Sequence, residues 1–189
     1  MVKVSVLLKN GFEEIEALTI VDYLRRADIS VDMISVEEGL QVIGSHGIKI
    51  EADMVFDKVE GEKIDLVFLP GGMPGAKSLS EDQRVLSLIK SLDSRGKAIA
   101  AICAAPIVLE NAGLIKGKKV TSYPSFETYL KSVGQYREDL VVVDENIITS
   151  RGPATAVLLA LELIELLKGK EKMEEIKKDI LFDLLKENI

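Results

Sequence analysis

Lys97-Ala98-Ile99-Ala100-Ala101-Ile102-Cys103-Ala104-Ala105-Pro106-Ile107-Val108-Leu109 is an apolar run of strand length that stops at a cysteine, where an alanine-rich helical segment begins at once. A residue at such a strand-to-helix corner is forced into a sharp turn, its side chain aimed out of the sheet edge. The amides that open the following helix lie next to the sulfur, and their free N–H groups favour a thiolate over a thiol. Cys103 is the single cysteine of 189 residues. A free cysteine is most often a small buried hydrophobe, but this placement points to a nucleophile.

Outward from that corner, strand and helix alternate. Val2–Leu8, Val31–Val36, Asp65–Leu69 and Ala98–Ile102 read as buried strands. Glu14–Ala27 reads as a helix, with Ile15, Leu18, Val21, Leu24 and Ala27 at apolar positions. Leu40–Ile43 and Ile48–Glu51 read as a hairpin across Gly44-Ser45-His46-Gly47. Glu81–Ser94 is a helix with Ser80 as its N-cap, and Ala105–Ala112 a helix stopped by Gly113. Val120–Ser122, Leu140–Val143 and Ile147–Thr149 are short strands. Pro153–Lys168 and the charged Glu171–Glu187 complete the pattern as helices. The order predicts an α/β fold of one domain over residues 1–189, a mainly parallel sheet with helices on both faces. Sites in such sheets form beyond the carboxyl ends of the strands. Gly11-Phe12-Glu13-Glu14, Pro70-Gly71-Gly72-Met73-Pro74-Gly75, Cys103 and Arg151-Gly152-Pro153 all fall at those ends and are expected to converge.

Composition narrows the class. Apolar residues make up 47% and charged residues 29%, as in an ordinary globular protein. A net charge of −7 without a basic cluster argues against nucleic acid. No apolar run reaches the ~18 residues that span a bilayer, so no membrane partner is expected. Absence of a leader pattern before Val2 and of a possible cystine pair fits the cytoplasm. One cysteine and one histidine do not supply a zinc ligand set, so neither metal nor cofactor is expected.

The other candidates surround the cysteine. Gly71-Gly72 is a tight turn that also lets backbone approach a ligand, and amides near Gly72 and Ala104 suit an oxyanion hole. Glu13 and Glu14 need no more than the acidic preference of a first helical turn. Glu16 falls between apolar Ile15 and Ala17, and spacing alone leaves open whether it reaches Cys103. If it does, its pKa is raised and it becomes a proton shuttle. His46 lies in the hairpin turn, where exposure is the simpler reading than a Cys–His dyad. Tyr123, after the Val120–Ser122 strand, can donate to a substrate oxygen or line the pocket. Arg26 closes the first helix as a solvated cation, while Arg151, before Gly152-Pro153, anchors the loop under the site.

Gly11-Phe12-Glu13-Glu14-Ile15-Glu16, Leu69-Pro70-Gly71-Gly72, Ala100-Ala101-Ile102-Cys103-Ala104 and Thr149-Ser150-Arg151-Gly152-Pro153, in this order, resemble the ThiJ/PfpI superfamily. Within it they resemble the subgroup of the Parkinson-associated protein deglycase. The resemblance covers nearly the whole chain and implies a flavodoxin-like three-layer sandwich with a nucleophile elbow, and a homodimer. It implies a reactive Cys103, a protonated Glu16 bonded to it, and oxyanion amides at Gly72 and Ala104. One departure stands out. Where the subgroup carries a histidine before proline, this chain has Ser122-Tyr123-Pro124. His46 stands where relatives have an arginine, and Ala104 where the peptidase branch has a histidine.

The implied activity is that of a glutathione-independent glyoxalase or deglycase. Cys103 would add to a small reactive aldehyde or glycated group, with Glu16 moving the proton. A redox-sensing stress protein or chaperone that oxidises Cys103 is the alternative. A cysteine peptidase ranks last for want of a neighbouring histidine.

Overall fold

The computed structural model describes residues 2–188. Strands β1 (Lys3–Leu8), β2 (Ser30–Ser35), β3 (Gln41–Ile43), β4 (Lys49–Glu51), β5 (Met54–Val55) and β6 (Leu66–Leu69) belong to the first part of the chain, with helix α1 (Glu14–Arg26) after β1. Helices α2 (Gly75–Glu81) and α3 (Gln83–Ser94) precede β7 (Ala98–Ile102), and α4 (Pro106–Ala112) follows it. The remainder comprises β8 (Lys119–Val120), β9 (Gln135–Tyr136), β10 (Val141–Asp144), β11 (Ile147–Ser150), α5 (Ala156–Lys168), α6 (Lys170–Asp179) and α7 (Phe182–Glu187).

The central sheet runs β10-β11-β7-β6-β1-β2-β5, parallel throughout except that β10 and β11 form an antiparallel edge. Strand alternation divides the core into two layers. Val4, Val6, Leu66, Phe68, Ala100 and Ile102 pack against α1 and α5 through Ile20, Leu24, Leu159 and Leu163. Leu7, Val67, Leu69, Ile99 and Ala101 face Leu79, Ile89, Val108 and Leu109 on α2–α4. Full burial of each such Leu or Ile contributes about 1.5–3 kcal/mol. The expected three-layer α/β architecture is therefore present.

The sheet order sets the site. The chain steps from β1 outward to β2, then returns across β1 to lay β6 and β7 on its other side. Loops beyond β1 and β6 diverge at that switch point, opening a crevice at the carboxyl ends of the strands. The strand-end loops named above meet there: Glu13 N–H donates to Gly71 O at 2.9 Å, and Cys103 N–H to Ser150 O at 3.0 Å.

Several boundaries differ from expectation. Glu81–Ser94 is not one helix: α2 ends at Glu81, and Asp82 caps α3 by accepting from Arg84 N–H at 3.0 Å. Ser80 is inside α2, its hydroxyl on Lys77 O, and caps nothing. Glu171–Glu187 divides at Leu181, which takes a left-handed conformation with φ 58°. Pro153–Thr155 forms a 3-10 turn ahead of α5. The Val120–Ser122 strand is shorter than expected and pairs with β9.

The β3–β4 hairpin is fastened to α1 by Glu14, which is only 2% exposed. Its Oε1 accepts His46 N–H at 2.8 Å and Ile48 N–H at 3.4 Å, and its Oε2 meets His46 Nδ1 at 2.9 Å. Burial opposes the charge, but these bonds outweigh it and hold the carboxyl at about 2, below its ordinary 4.5. A depressed native pKa stabilises the fold above the unfolded value and is lost as pH falls through the native one. Acid denaturation of wild type against Glu14→Gln is therefore expected to show wild type losing up to about 3 kcal/mol relative to the variant between pH 5 and 2. Parallel stability curves over that window would contradict this role.

Candidate active site

Cys103 follows the last residue of β7 with φ +62°, a left-handed conformation rare outside glycine. Two backbone bonds impose it: its N–H donates to Ser150 O, and its carbonyl accepts Tyr123 N–H at 2.9 Å. Such a conformation costs of order 1–3 kcal/mol and persists only where surrounding structure over-determines it. The thiol is half-buried, and α4 starts three residues further on, at Pro106.

Glu16 reaches the same point from the first turn of α1 and is fully buried. Its Oε2 accepts Gly71 N–H at 2.8 Å, while Oε1 has no hydrogen-bond partner among the described residues. Gly71 explains why the two side chains meet. A Cβ on it would lie 2.6 Å from both Cys103 Cβ and Glu16 Oε2, closer than atoms pack. Gly72, at φ +86°, has no room either: a Cβ there would lie 2.3 Å from Glu13 N. The two glycines make way chiefly for the site's own walls, a tighter constraint than approach to a ligand.

The electrostatics correct the expectation of an outright thiolate. Burial, then the charge of Glu16 and its hydrogen bond, push the Cys103 thiol up to about 12 from its ordinary 9.0. Hydrogen bonds from the backbone amides of Ala104 and Gly72 pull the other way but are outweighed. Glu16 is raised to about 7, mainly by burial, while bonds from Gly71 and Cys103 favour its charge. Two anions do not share this dry gap, so above neutral pH the pair holds one proton between its members. Sulfur is anionic when that proton rests on Glu16.

Other candidates separate. The Tyr123 ring lies over Gly152, where an added Cβ would sit 3.2 Å from Tyr123 Cδ2, so Tyr123 and the Gly152-Pro153 turn border the site together. Arg151 holds its turn through its backbone N–H, which donates to Thr155 Oγ1 at 3.2 Å, while its Nη1 is buried without a partner among the described residues. His46 is exposed and engages Glu14 and, at 3.5 Å, Glu13, and no bond joins it to Cys103. These contacts raise its pKa, the Glu14 bond most. Arg26 lies outside the crevice: it ends α1, ten residues and about 15 Å along the helix from Glu16, and pairs with Asp22 at 2.7 Å. The donor atoms of Glu13, Glu14 and His46 lie within 4.8 Å of one another, but hairpin hydrogen bonds already engage both Glu14 oxygens. Sequence reading missed that tether, because a buried Glu14 and a solvated one read alike in a first helical turn.

A cysteine in a left-handed elbow, a buried glutamate and two amides on sulfur, at the switch point of a parallel sheet, define a class of α/β protein with a candidate cysteine nucleophile. Residues 2–166 match the DJ-1/PfpI family, and the chain belongs to that family. It is similar to Protein dj-1beta of Drosophila melanogaster, at 44% identity over 177 residues, covering 93% of this chain and 95% of that one. Deglycase PH1704 of Pyrococcus horikoshii is 34% identical over 167 residues, covering 88% and 99%. The structure of oxidized DJ-1 from Toxoplasma gondii superposes with a TM-score of 0.92 at 40% identity, covering 96% and 98%. Among the described residues, no helix is long and apolar enough to cross a membrane.

The shared proton has a measurable consequence. Below pH about 7 both groups are protonated, and above it Glu16 is a carboxylate free to take the proton of a thiol held at about 12. Alkylation of Cys103 by iodoacetamide is expected to rise with a midpoint near pH 7 in wild type. In Glu16→Gln that inflection disappears, leaving one thiol titration that begins below the wild-type second step. A variant that keeps the midpoint near 7 would show that Glu16 is not the partner.

Proposed function

We propose that this protein is a cysteine-dependent enzyme acting on small reactive aldehydes or their adducts, of the glyoxalase or deglycase type. The observation that carries the reading is the Cys103–Glu16 pair, with one proton available to either group. The deglycase name of the Pyrococcus horikoshii relative supports the substrate class.

With methylglyoxal, the thiol proton passes to Glu16 as sulfur forms a bond to the aldehyde carbon. Glu16 returns that proton to the new alkoxide, giving a hemithioacetal. The carboxylate then removes the hydrogen of that carbon and delivers it to the adjacent one, while the hydroxyl proton ends on the second oxygen. The result is a lactoyl thioester on Cys103. Water hydrolyses it to lactate and the free thiol, so the net change is addition of one water. Amides of Gly72 and Ala104, directed at sulfur, hold negative charge first on sulfur and then on oxygen. Tyr123 borders the place where relatives carry a histidine and can donate to the second oxygen. No metal or organic cofactor is needed. Deglycation follows the same addition with an amine as leaving group.

A second reading is redox sensing. The relative from Toxoplasma gondii was solved oxidized, and the unpartnered Glu16 Oε1 suits a hydrogen bond to an oxygen added at sulfur. A peptidase reading has less support, because Ala104 follows the cysteine. We further propose pairing of two copies through the outward stripe of Ile15 and Leu18 with Ile48, 59%, 37% and 53% exposed. A monomer mass in solution would contradict that pairing.

Lactate formation from methylglyoxal by wild type, Cys103→Ser and Glu16→Gln tests the enzyme. Both variants are expected to lose about 10²-fold or more in kcat, the scale of positioned proton transfer. Equal turnover in all three ends the aldehyde reading. Peroxide treatment of the same proteins, weighed intact, tests the second: no oxygen gained at Cys103 ends it.

A further inference from the structure

Between α2, α4 and the 3-10 turn Phe126–Tyr129 lies a cavity of about 380 Å³. Each of its walls departs from a loop of the candidate site. Helix α2 follows Gly72-Met73, α4 follows Cys103-Ala104-Ala105, and the turn follows Tyr123. Ile107 lies four residues after Cys103 and Asn111 one helical turn further, with Met73 and Lys77 on the opposite wall. The groove's walls therefore start at the loops that carry Gly72 and Cys103. Its far end is tied by Asn111 Nδ2–H donating to Ser80 O at 3.1 Å.

Met73, Ile107, Phe126 and Tyr129 give the groove an apolar and aromatic side, faced by Lys77, Ser80, Glu81 and Asn111. The rings of Phe126 and Tyr129 lie 5.6 Å apart, and Tyr123 meets Phe126 edge-on at 6.4 Å, joining the groove to the nucleophile corner. Met73 and Tyr129 are 47% and 62% exposed, so they contribute area that packing within the chain does not use. Methylglyoxal has five heavy atoms and does not need this volume. A volume of this size matches cavities of about 300–1,000 Å³ that enclose much larger ligands.

We propose that this groove determines specificity, taking the aryl or branched apolar substituent of a carbonyl compound whose reacting carbon lies at Cys103. The inference rests on the aldehyde reading above and names its substrate class. The favoured substrate is then an aryl- or bulky alkyl-substituted 2-oxoaldehyde or its adduct. Phe126, Tyr129, Met73 and Ile107 discriminate by contact with the substituent, while the addition at sulfur stays the same. An apolar subsite of this kind discriminates by about 10–200-fold.

Two bromoketones test it without requiring turnover. Phenacyl bromide and bromoacetone each alkylate Cys103, sulfur displacing bromide, and intact mass follows the rate. The phenyl-to-methyl rate ratio, divided by that of a free thiol, is expected to exceed about tenfold in wild type. It should fall back by a similar factor in Tyr129→Ala and in Phe126→Ala. A wild-type ratio equal to the free thiol's, or one unmoved by both variants, overturns the proposal. Tyr129 is largely exposed, so its variant reads the contact even if the Phe126 variant fails to fold. Absence of methylglyoxal turnover with the ratio intact would count against the aldehyde reading alone.

Discussion

The site depends on a missing side chain. Gly71 occupies a point where any Cβ would collide with both Cys103 and Glu16, so its absence lets an elbow from one strand and a carboxyl from one helix share a gap. Gly71 does more than vacate space. Its N–H holds Glu16 Oε2, and its carbonyl takes the Glu13 N–H at the entry to α1. One residue thus fixes the carboxyl, the start of the helix that carries it, and the distance to sulfur. The left-handed backbone of Cys103 is the complementary constraint, clamped by Ser150 and Tyr123 from the neighbouring strand and loop.

Dry packing of that gap governs its chemistry. Burial is the largest cause acting on each group, and it opposes charge on both. Mutual repulsion then forbids the doubly ionised state, leaving one proton to be shared. The amides of Gly72 and Ala104 lower the cost of placing charge on sulfur. In the proposed reaction the Glu16 carboxylate takes the thiol proton and then returns it as the acid that the addition needs.

Much of this was legible in the sequence because it rests on local rules. An apolar run ending at Cys103 and the breakers Pro70-Gly71-Gly72 mark strand ends, and parallel topology brings strand ends together. Less was legible where distant partners decide. Glu14 and Asp22 are both acidic positions of α1, yet only Glu14 meets hairpin amides and becomes buried. The break at Asp82 depends on a single capping bond, and the one at Leu181 on a left-handed residue that carries no glycine signal. The thiol's upward shift was hidden for the same reason. Sequence shows a helix start beside sulfur, whereas the outcome is set first by burial and then by a carboxyl 87 positions earlier in the chain.

A Glu16 carboxyl that exchanges its proton near neutral pH is the claim from which the rest follows. Carbon-13 NMR of the Glu16 side-chain carboxyl, assigned by comparison with Glu16→Gln and titrated from pH 4 to 9, reads that proton directly. The account predicts a midpoint near 7, where burial holds the group. A midpoint below 5, as for a solvated carboxylate, would contradict it.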